Sequence, residues 1–193
     1  MDKWIQVAMD LGATEAGWLD TGIIRFLPEV RKMCVDGKCG GYGKNWACPP
    51  GCGSVEACAE RVRSYQRGLV FTVAAQMEDP FDYEAIEEGG KKIKQLALAI
   101  RDRLWDQEKE RVWLMTPGPC AQCAKCQYPA PCIHPELATT SPEAQGMWVS
   151  EICKQAGVNY NNGKNTVTYV GAAFFQEPEQ KKTGEKGANS SID

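Results

Sequence analysis

The sequence predicts a single layered domain of the α/β or α+β class, with about four strands and four helices. Segments of helical period alternate along the chain with short apolar segments of strand character. The length of 193 residues is sufficient for one domain, and a hydrophobic content of 43% is typical of a globular protein. Ten cysteines beside a single histidine indicate metal or redox chemistry within that domain.

The N-terminal part of the domain is predicted to contain two helices and two strands. Apolar residues recur three and four positions apart over 3–12, which predicts a helix, and residues 16–24 are typical of a strand. Residues 33–53 are rich in glycine and cysteine and have no regular period, so they are predicted to form a long, ordered, functional loop. A short helix over 54–67 then precedes a buried strand over 69–75.

The C-terminal part repeats the alternation of helix and strand. A long helix is expected over 82–109, in which the pair Gly89-Gly90 is a candidate kink or break. A short strand over 112–115 is followed by a helix over 141–156, because Ser141-Pro142-Glu143 is a good start signal. Residues 166–175 form the last predicted strand.

Composition excludes several functional classes. The longest uninterrupted apolar run, residues 96–100, has five residues, whereas a membrane-spanning helix needs about 20. No secretory signal is visible, so the cytoplasm is the expected compartment. The net charge of −3 argues against a nucleic-acid binder. We expect residues 1–175 to form the metal-binding domain and the polar residues 176–193 to form a disordered tail.

A second Cys-rich loop lies between the short strand and the following helix. Its spacing is Cys120-x2-Cys123-x2-Cys126-x5-Cys132. Three cysteines separated by two residues each are similar to the C-x2-C-x2-C-x3-C-P run that binds cubane clusters in bacterial ferredoxins. The last gap is longer here, and no proline directly follows Cys132. These four cysteines are predicted to ligate one [4Fe-4S] cluster; the alternative is zinc held by four cysteines, or by three with His134.

The first Cys-rich segment contains five cysteines, of which four could hold a second cluster. They are Cys34, Cys39, Cys48, Cys52 and Cys58. The predicted ligands are the first four, with Cys58 as the alternative to Cys52, and zinc is the alternative cofactor. The nearby basic residues Arg31, Lys32, Lys38 and Lys44 either offset thiolate charge or form an ordinary solvated face.

Two single residues have simple interpretations. Cys153 stands alone in its predicted helix and is expected to be a small buried hydrophobic residue. His134 could ligate metal or orient a cluster sulfur, but a hydrogen-bonded loop residue is the favoured interpretation.

The segments YGKNWACPP (42–50) and GPC with its following cysteines (118–135), together with Cys34 and Cys39, resemble a prokaryotic family of predicted metal-binding proteins. The resemblance covers about residues 5–175. It implies metal binding, with iron–sulfur chemistry expected, and no settled reaction. The resemblance also implies that the cysteines matching Cys34, Cys39 and Cys48 are the fixed part of the family pattern and that Cys52 is an addition of this sequence, which leaves the fourth ligand of the first group open.

The leading hypothesis is an iron–sulfur protein with one or two [4Fe-4S] clusters that transfers electrons to a partner protein. A structural or regulatory zinc protein is the alternative from another class. A reductase whose cluster has one iron without a protein ligand is a third. No nucleotide-binding or triad motif is present, and whether the protein is an enzyme, its oligomeric state, and whether the two loops meet are left open.

Overall fold

The computed structural model describes residues 2–36, 39–108 and 112–175. Over these ranges the chain forms an α+β domain with a four-stranded antiparallel sheet. The predicted tail, residues 176–193, lies outside the described residues. None of the helices within the described ranges combines the length and the apolar character needed to cross a bilayer.

The regular elements follow one another in the order α1, β1, α2, α3, β2, α4, β3, α5 and β4. The helices are α1 (Lys3–Asp10), α2 (Pro28–Val35), α3 (Val55–Arg63), α4 (Tyr83–Glu108) and α5 (Val149–Ala156). The strands are β1 (Glu15–Asp20), β2 (Arg67–Gln76), β3 (Trp113–Met115) and β4 (Thr166–Phe175). A single 3-10 turn, Thr21–Ile23, follows β1.

The sheet is built around the pairing of β2 with β4. The two ten-residue strands run antiparallel over their whole length, from Arg67 opposite Phe175 to Gln76 opposite Thr166. β1 pairs with the other edge of β2, and β3 pairs with the other edge of β4, so the order is β1-β2-β4-β3. The short β3 is therefore an edge strand whose C-terminal end, Met115, leads directly into the second Cys-rich loop.

Both faces of the sheet are covered, which explains why β2 is apolar at almost every position. Side chains alternate between the faces of a strand. Leu69, Phe71 and Val73 pack with α1 and α4, whereas Val70 packs with α5 on the opposite face. The cysteine loops extend from the end of this three-layered arrangement.

Three predicted boundaries are wrong for local reasons. β1 ends at Asp20, because the Asp20 carboxylate accepts the Gly22 N–H at 2.8 Å and starts the 3-10 turn. The helix predicted over 141–156 begins only at Val149. Ser141 does accept the Ala144 N–H at 3.1 Å, but it caps a series of turns rather than the helix. The loop predicted from residue 33 begins after α2.

Helix α4 runs unbroken through Gly89-Gly90, so the expected break is absent. A Cβ atom at Gly89 would lie 2.5 Å from Tyr169 Cε2 and 3.0 Å from Ala75 Cβ. Gly89 therefore allows the helix to approach β2 and β4 closely. A Cβ atom at Gly90 would lie 3.7 Å from its nearest neighbour, which is ordinary contact.

Alanine substitutions at the two adjacent glycines are expected to change the free energy of unfolding in opposite directions. Gly90→Ala should raise the free energy of unfolding by about 0.5–1 kcal/mol, because alanine restricts the unfolded chain and fits the helix. Gly89→Ala should lower it by about 1–3 kcal/mol, because the methyl group overpacks against Tyr169. Urea unfolding of the two variants checks this, and equal shifts in the same direction would contradict the packing described.

Candidate metal centre

The two Cys-rich loops meet beside the end of β3. Met115 forms a parallel bridge with Thr140, which closes the second loop at its base. The Thr140 hydroxyl then donates a 2.8 Å hydrogen bond to the carbonyl of Ala47 in the first loop. Thr140 is buried, so this bond joins the two loops inside the protein.

Asn45 makes the second connection between the loops. Its Nδ2 donates to the carbonyl of Cys120 at 3.1 Å, while its Oδ1 accepts the N–H of Ala47 at 2.9 Å. Asn45 is only 7% exposed, so both bonds replace contacts with water. The two loops therefore converge and form one continuous structure.

Trp46 extends the contact along the second loop. Its Nε1 donates to the carbonyl of Ala130 at 2.7 Å, and its ring packs edge-on against Tyr128 with a centroid distance of 5.0 Å. Gly51 of the first loop allows close packing against the Tyr128 ring. A Cβ atom there would lie 3.0 Å from the Tyr128 ring and 2.9 Å from the Asn45 carbonyl oxygen.

The four cysteines of the second loop line one small cavity of about 30 Å³ and are half-buried. The wall is completed by residues of both loops, namely Asn45, Trp46, Ala47, Gln122, His134 and Ala138. All ten cysteines of the chain are free thiols. Among the described residues, no group of three or more His, Cys, Asp or Glu side chains converges tightly enough to hold a single metal ion.

The predicted ligands of the first group lie in two environments. Cys34 is in the last turn of α2 rather than in the loop, and it is buried, as are Cys48 and Cys52. Cys39 is exposed. The loop backbone packs tightly against the Cys48 thiol, because a Cβ atom at Gly41 would lie 2.8 Å from its Sγ.

The thiols of each group interact electrostatically with one another. Burial, followed by the charges of Cys39 and Cys34, raises the pKa of Cys48 to about 12. Burial, followed by the charge of Cys39, also raises the pKa of Cys34. In the second group, desolvation and then the charge of Cys120 raise the pKa of Cys123. A bound cation reverses this balance, because it stabilises the thiolates that these surroundings disfavour.

Cys52 and Cys58 are neighbours beside a cation. The Cys58 thiol donates to the Cys52 carbonyl and the Cys52 thiol to the Ala144 carbonyl, both at 3.4 Å. Interaction between the two thiols is the main cause that raises the pKa of Cys52 and lowers the pKa of Cys58 to about 7. Arg31 Nη2 lies 3.5 Å from Cys52 Sγ and also donates to the Gly53 carbonyl at 2.8 Å. The charge of Cys52 also raises the pKa of Cys34 and of Cys48.

The other residues singled out in the sequence are also located. Arg31 contacts a thiol, whereas Lys38 lies outside the described residues. His134 lines the second-loop cavity, with its Nδ1 4.0 Å from Glu136 Oε1. Cys153 is fully buried in the core beneath the sheet, as expected.

The sequence analysis missed Arg61 and Gln145, which lie beside the cysteine loops. Neither residue is within a motif, and each is far along the chain from at least one of the two loops. No local pattern could have identified them.

A metal centre is the interpretation that the comparisons with known proteins also favour. The profile of a family described as "Predicted metal-binding protein (DUF2284)" matches residues 17–175. The chain belongs to this family. No curated protein and no solved structure matches it. The family description extends to metal binding and leaves the metal, the ligands and the reaction unspecified.

Because Asn45 connects the two loops, even a nearly isosteric substitution at this position is expected to lower the stability of the protein. Asn45→Asp removes the donor to the Cys120 carbonyl and places a carboxylate against that oxygen, so the free energy of unfolding should fall by about 1–3 kcal/mol. Lys44→Ala, at an exposed neighbouring position, is the control and should change it by less than about 0.5 kcal/mol. Comparable losses in urea unfolding of both variants would refute the connecting role of Asn45.

Proposed function

We propose that the protein binds two [4Fe-4S] clusters and transfers electrons to a partner protein. The observation that carries this proposal is the single cavity lined by Cys120, Cys123, Cys126 and Cys132. Their spacing is similar to that of cluster-binding loops, and a cluster needs its thiolates around a space because they ligate different irons. When bound, such a cluster supplies a one-electron redox couple.

The donor chemistry of both groups fits this cofactor. Thiolates are the soft ligands that iron–sulfur clusters select, and each group offers four of them. In the second group four thiols and no carboxylate line the cavity, so a soft metal is favoured there over a hard cation such as Mg²⁺ or Ca²⁺. We assign Cys34, Cys39, Cys48 and Cys52 as the ligands of the first cluster.

The choice of Cys52 over Cys58 rests on position. The Cys52 N–H donates to the Cys48 carbonyl at 3.0 Å, and the Cys52 sulfur contacts Arg31, which lies one turn before Cys34 on α2. Arg31 Nη2 lies 3.5 Å from the Cys52 sulfur, where its positive charge can offset the charge of the bound thiolates. Cys58 supports Cys52 from the start of α3, since its thiol donates to the Cys52 carbonyl at 3.4 Å.

The relation between the two groups supports electron transfer. Asn45 joins the two groups, because its Nδ2 donates to the Cys120 carbonyl at 3.1 Å and its own carbonyl accepts the Cys48 N–H at 3.1 Å. Two redox centres held this close would exchange electrons readily. The second group is half-exposed, and Ile133 next to Cys132 is 59% exposed, which offers an apolar contact for a partner.

Metal analysis of anaerobically purified protein tests the cofactor. About eight irons and eight sulfides per chain are expected, with a broad visible band near about 400 nm that bleaches on reduction. Cys123→Ser should remove about half of the iron, whereas Cys153→Ala, a buried cysteine outside both groups, should retain all of it. A colourless protein with about one or two zinc ions would overturn the proposal in favour of the structural zinc protein.

A second pair of variants tests the fourth ligand of the first group. Cys52→Ser should lose about four irons, whereas Cys58→Ser should keep them, because only Cys52 is assigned as a ligand. The measurement is the iron and sulfide count together with the spectrum of the reduced protein. Iron loss from Cys58→Ser alone would assign Cys58 instead, and full retention by both variants would favour the reductase with an open iron.

A further inference from the structure

A larger cavity of about 340 Å³ lies between the two groups of cysteines. Cys52 of the first group and Cys132 of the second both line it. The remaining lining residues come from both loops and from the elements beside them: Trp46, Ala47, Gly51, Arg61, Trp113, Pro135, Ala138, Thr139, Thr140 and Gln145. We name it the interloop pocket. Its volume is at the lower end of the range for small-molecule sites, about 300–1,000 Å³.

Arg61 provides a positive charge at the wall of the interloop pocket. It is an exposed residue of α3, and its guanidinium lies over the Trp113 ring at 5.5 Å from the ring centroid. The ion pairs found among the described residues do not involve Arg61. A planar guanidinium held against an aromatic ring and lacking a carboxylate partner is suited to bind an oxyanion.

Gln145 provides a buried acceptor without a partner. Its Nε2 donates to the Thr140 hydroxyl at 2.8 Å, and that hydroxyl donates its only proton to the Ala47 carbonyl. Thr140 can therefore only accept from Gln145, which fixes the orientation of the amide. Gln145 is fully buried, and its Oε1 has no hydrogen-bond partner among the described residues. Such an atom is rare in folded proteins and is satisfied by an O–H or N–H donor.

We propose that the interloop pocket binds a small oxyanion, a carboxylate or a phosphate, that also carries a hydrogen-bond donor. The oxyanion would pair with Arg61, and the donor would satisfy Gln145 Oε1. Thr139 adds a hydroxyl to the wall, whereas Pro135 and Ala138 add apolar surface. This inference deepens the proposed function and rests on it in one respect, namely that the thiols flanking the pocket hold clusters. The ligand would then lie between the two redox centres as a candidate substrate.

Isothermal titration of the full-length, anaerobically purified protein tests the pocket with two matched pairs of probes. Glycolate and acetate differ in a hydroxyl donor, as do phosphate and sulfate near neutral pH. One probe with a donor is expected to bind at a ratio of one per chain and more tightly than its partner without one. The pair that shows this difference identifies the carboxylate or the phosphate as the source of the oxyanion.

Two arginines on the same helix provide the variant and its control. Arg61→Gln should weaken binding of the preferred probe at least about tenfold, equivalent to about 1.4 kcal/mol. Arg63→Gln should leave binding unchanged, because Arg63 lies against Phe26, at 5.3 Å from the ring centroid, and does not line the pocket. Gln145→Leu should abolish the preference for the probe with a donor; if this buried variant does not fold, the Arg61 comparison still decides.

The proposal is overturned if none of the four probes binds, if donors make no difference, or if Arg61→Gln and Arg63→Gln weaken binding equally. Iron and sulfide are counted in the same samples, so that the test of the ligand site is independent of the test of the clusters. If the protein contains zinc and binds glycolate through Arg61, the proposed ligand site is supported and the proposed clusters are refuted. If it contains about eight irons and binds no probe, the clusters are supported and the ligand site is refuted.

Discussion

The contact between the two cysteine loops depends on a few buried hydrogen bonds, above all those made by Asn45 and Thr140. Each loop has little regular secondary structure, so its backbone polar groups need other partners. Asn45 satisfies the Cys120 carbonyl, and Thr140 satisfies the Ala47 carbonyl. The cavity of the second group, the proximity of Cys48 to Cys120 and the interloop pocket all exist because these bonds hold the loops together.

The sheet fixes where those hydrogen bonds can form. β4 pairs with β3 over Trp113–Met115, and Met115 in turn bridges to Thr140. The core beneath this edge is apolar and fully buried, with Met115, Phe174 and Met147 among its members. A rigid scaffold that positions irregular loops is a common arrangement for binding sites. The three-residue β3 is thus short but sets the base of the second loop.

Much of the fold could be predicted because its strongest elements are long and apolar. β2, β4 and α4 lie close to the predicted ranges, since burial on both faces of the sheet leaves a clear pattern. Errors occur where one side chain decides a boundary. Ser141 has the features of a helix cap, yet Gly146 at φ +85° directs the chain into a turn before α5 begins.

The cysteine spacing could be interpreted locally, whereas the relation between the loops could not. Asn45 and Cys120 are 75 residues apart, and nothing in the sequence around either indicates the other. The same limit applies to Arg61 and Gln145, which belong to no motif and become neighbours of the cysteines only in the folded chain. Long-range hydrogen bonds of single polar residues leave no periodic signal, so only the structure identifies them.

The two groups of cysteines differ in their access to solvent. Cys34, Cys48 and Cys52 are buried against α2 and the first-loop backbone, with Arg31 beside them. The four cysteines of the second loop are half-exposed. Solvent therefore contacts the second group at all four cysteines, whereas in the first group it contacts mainly Cys39, which is exposed. The interloop pocket is lined by one cysteine of each group, Cys52 and Cys132, so a ligand bound there would contact both groups at once.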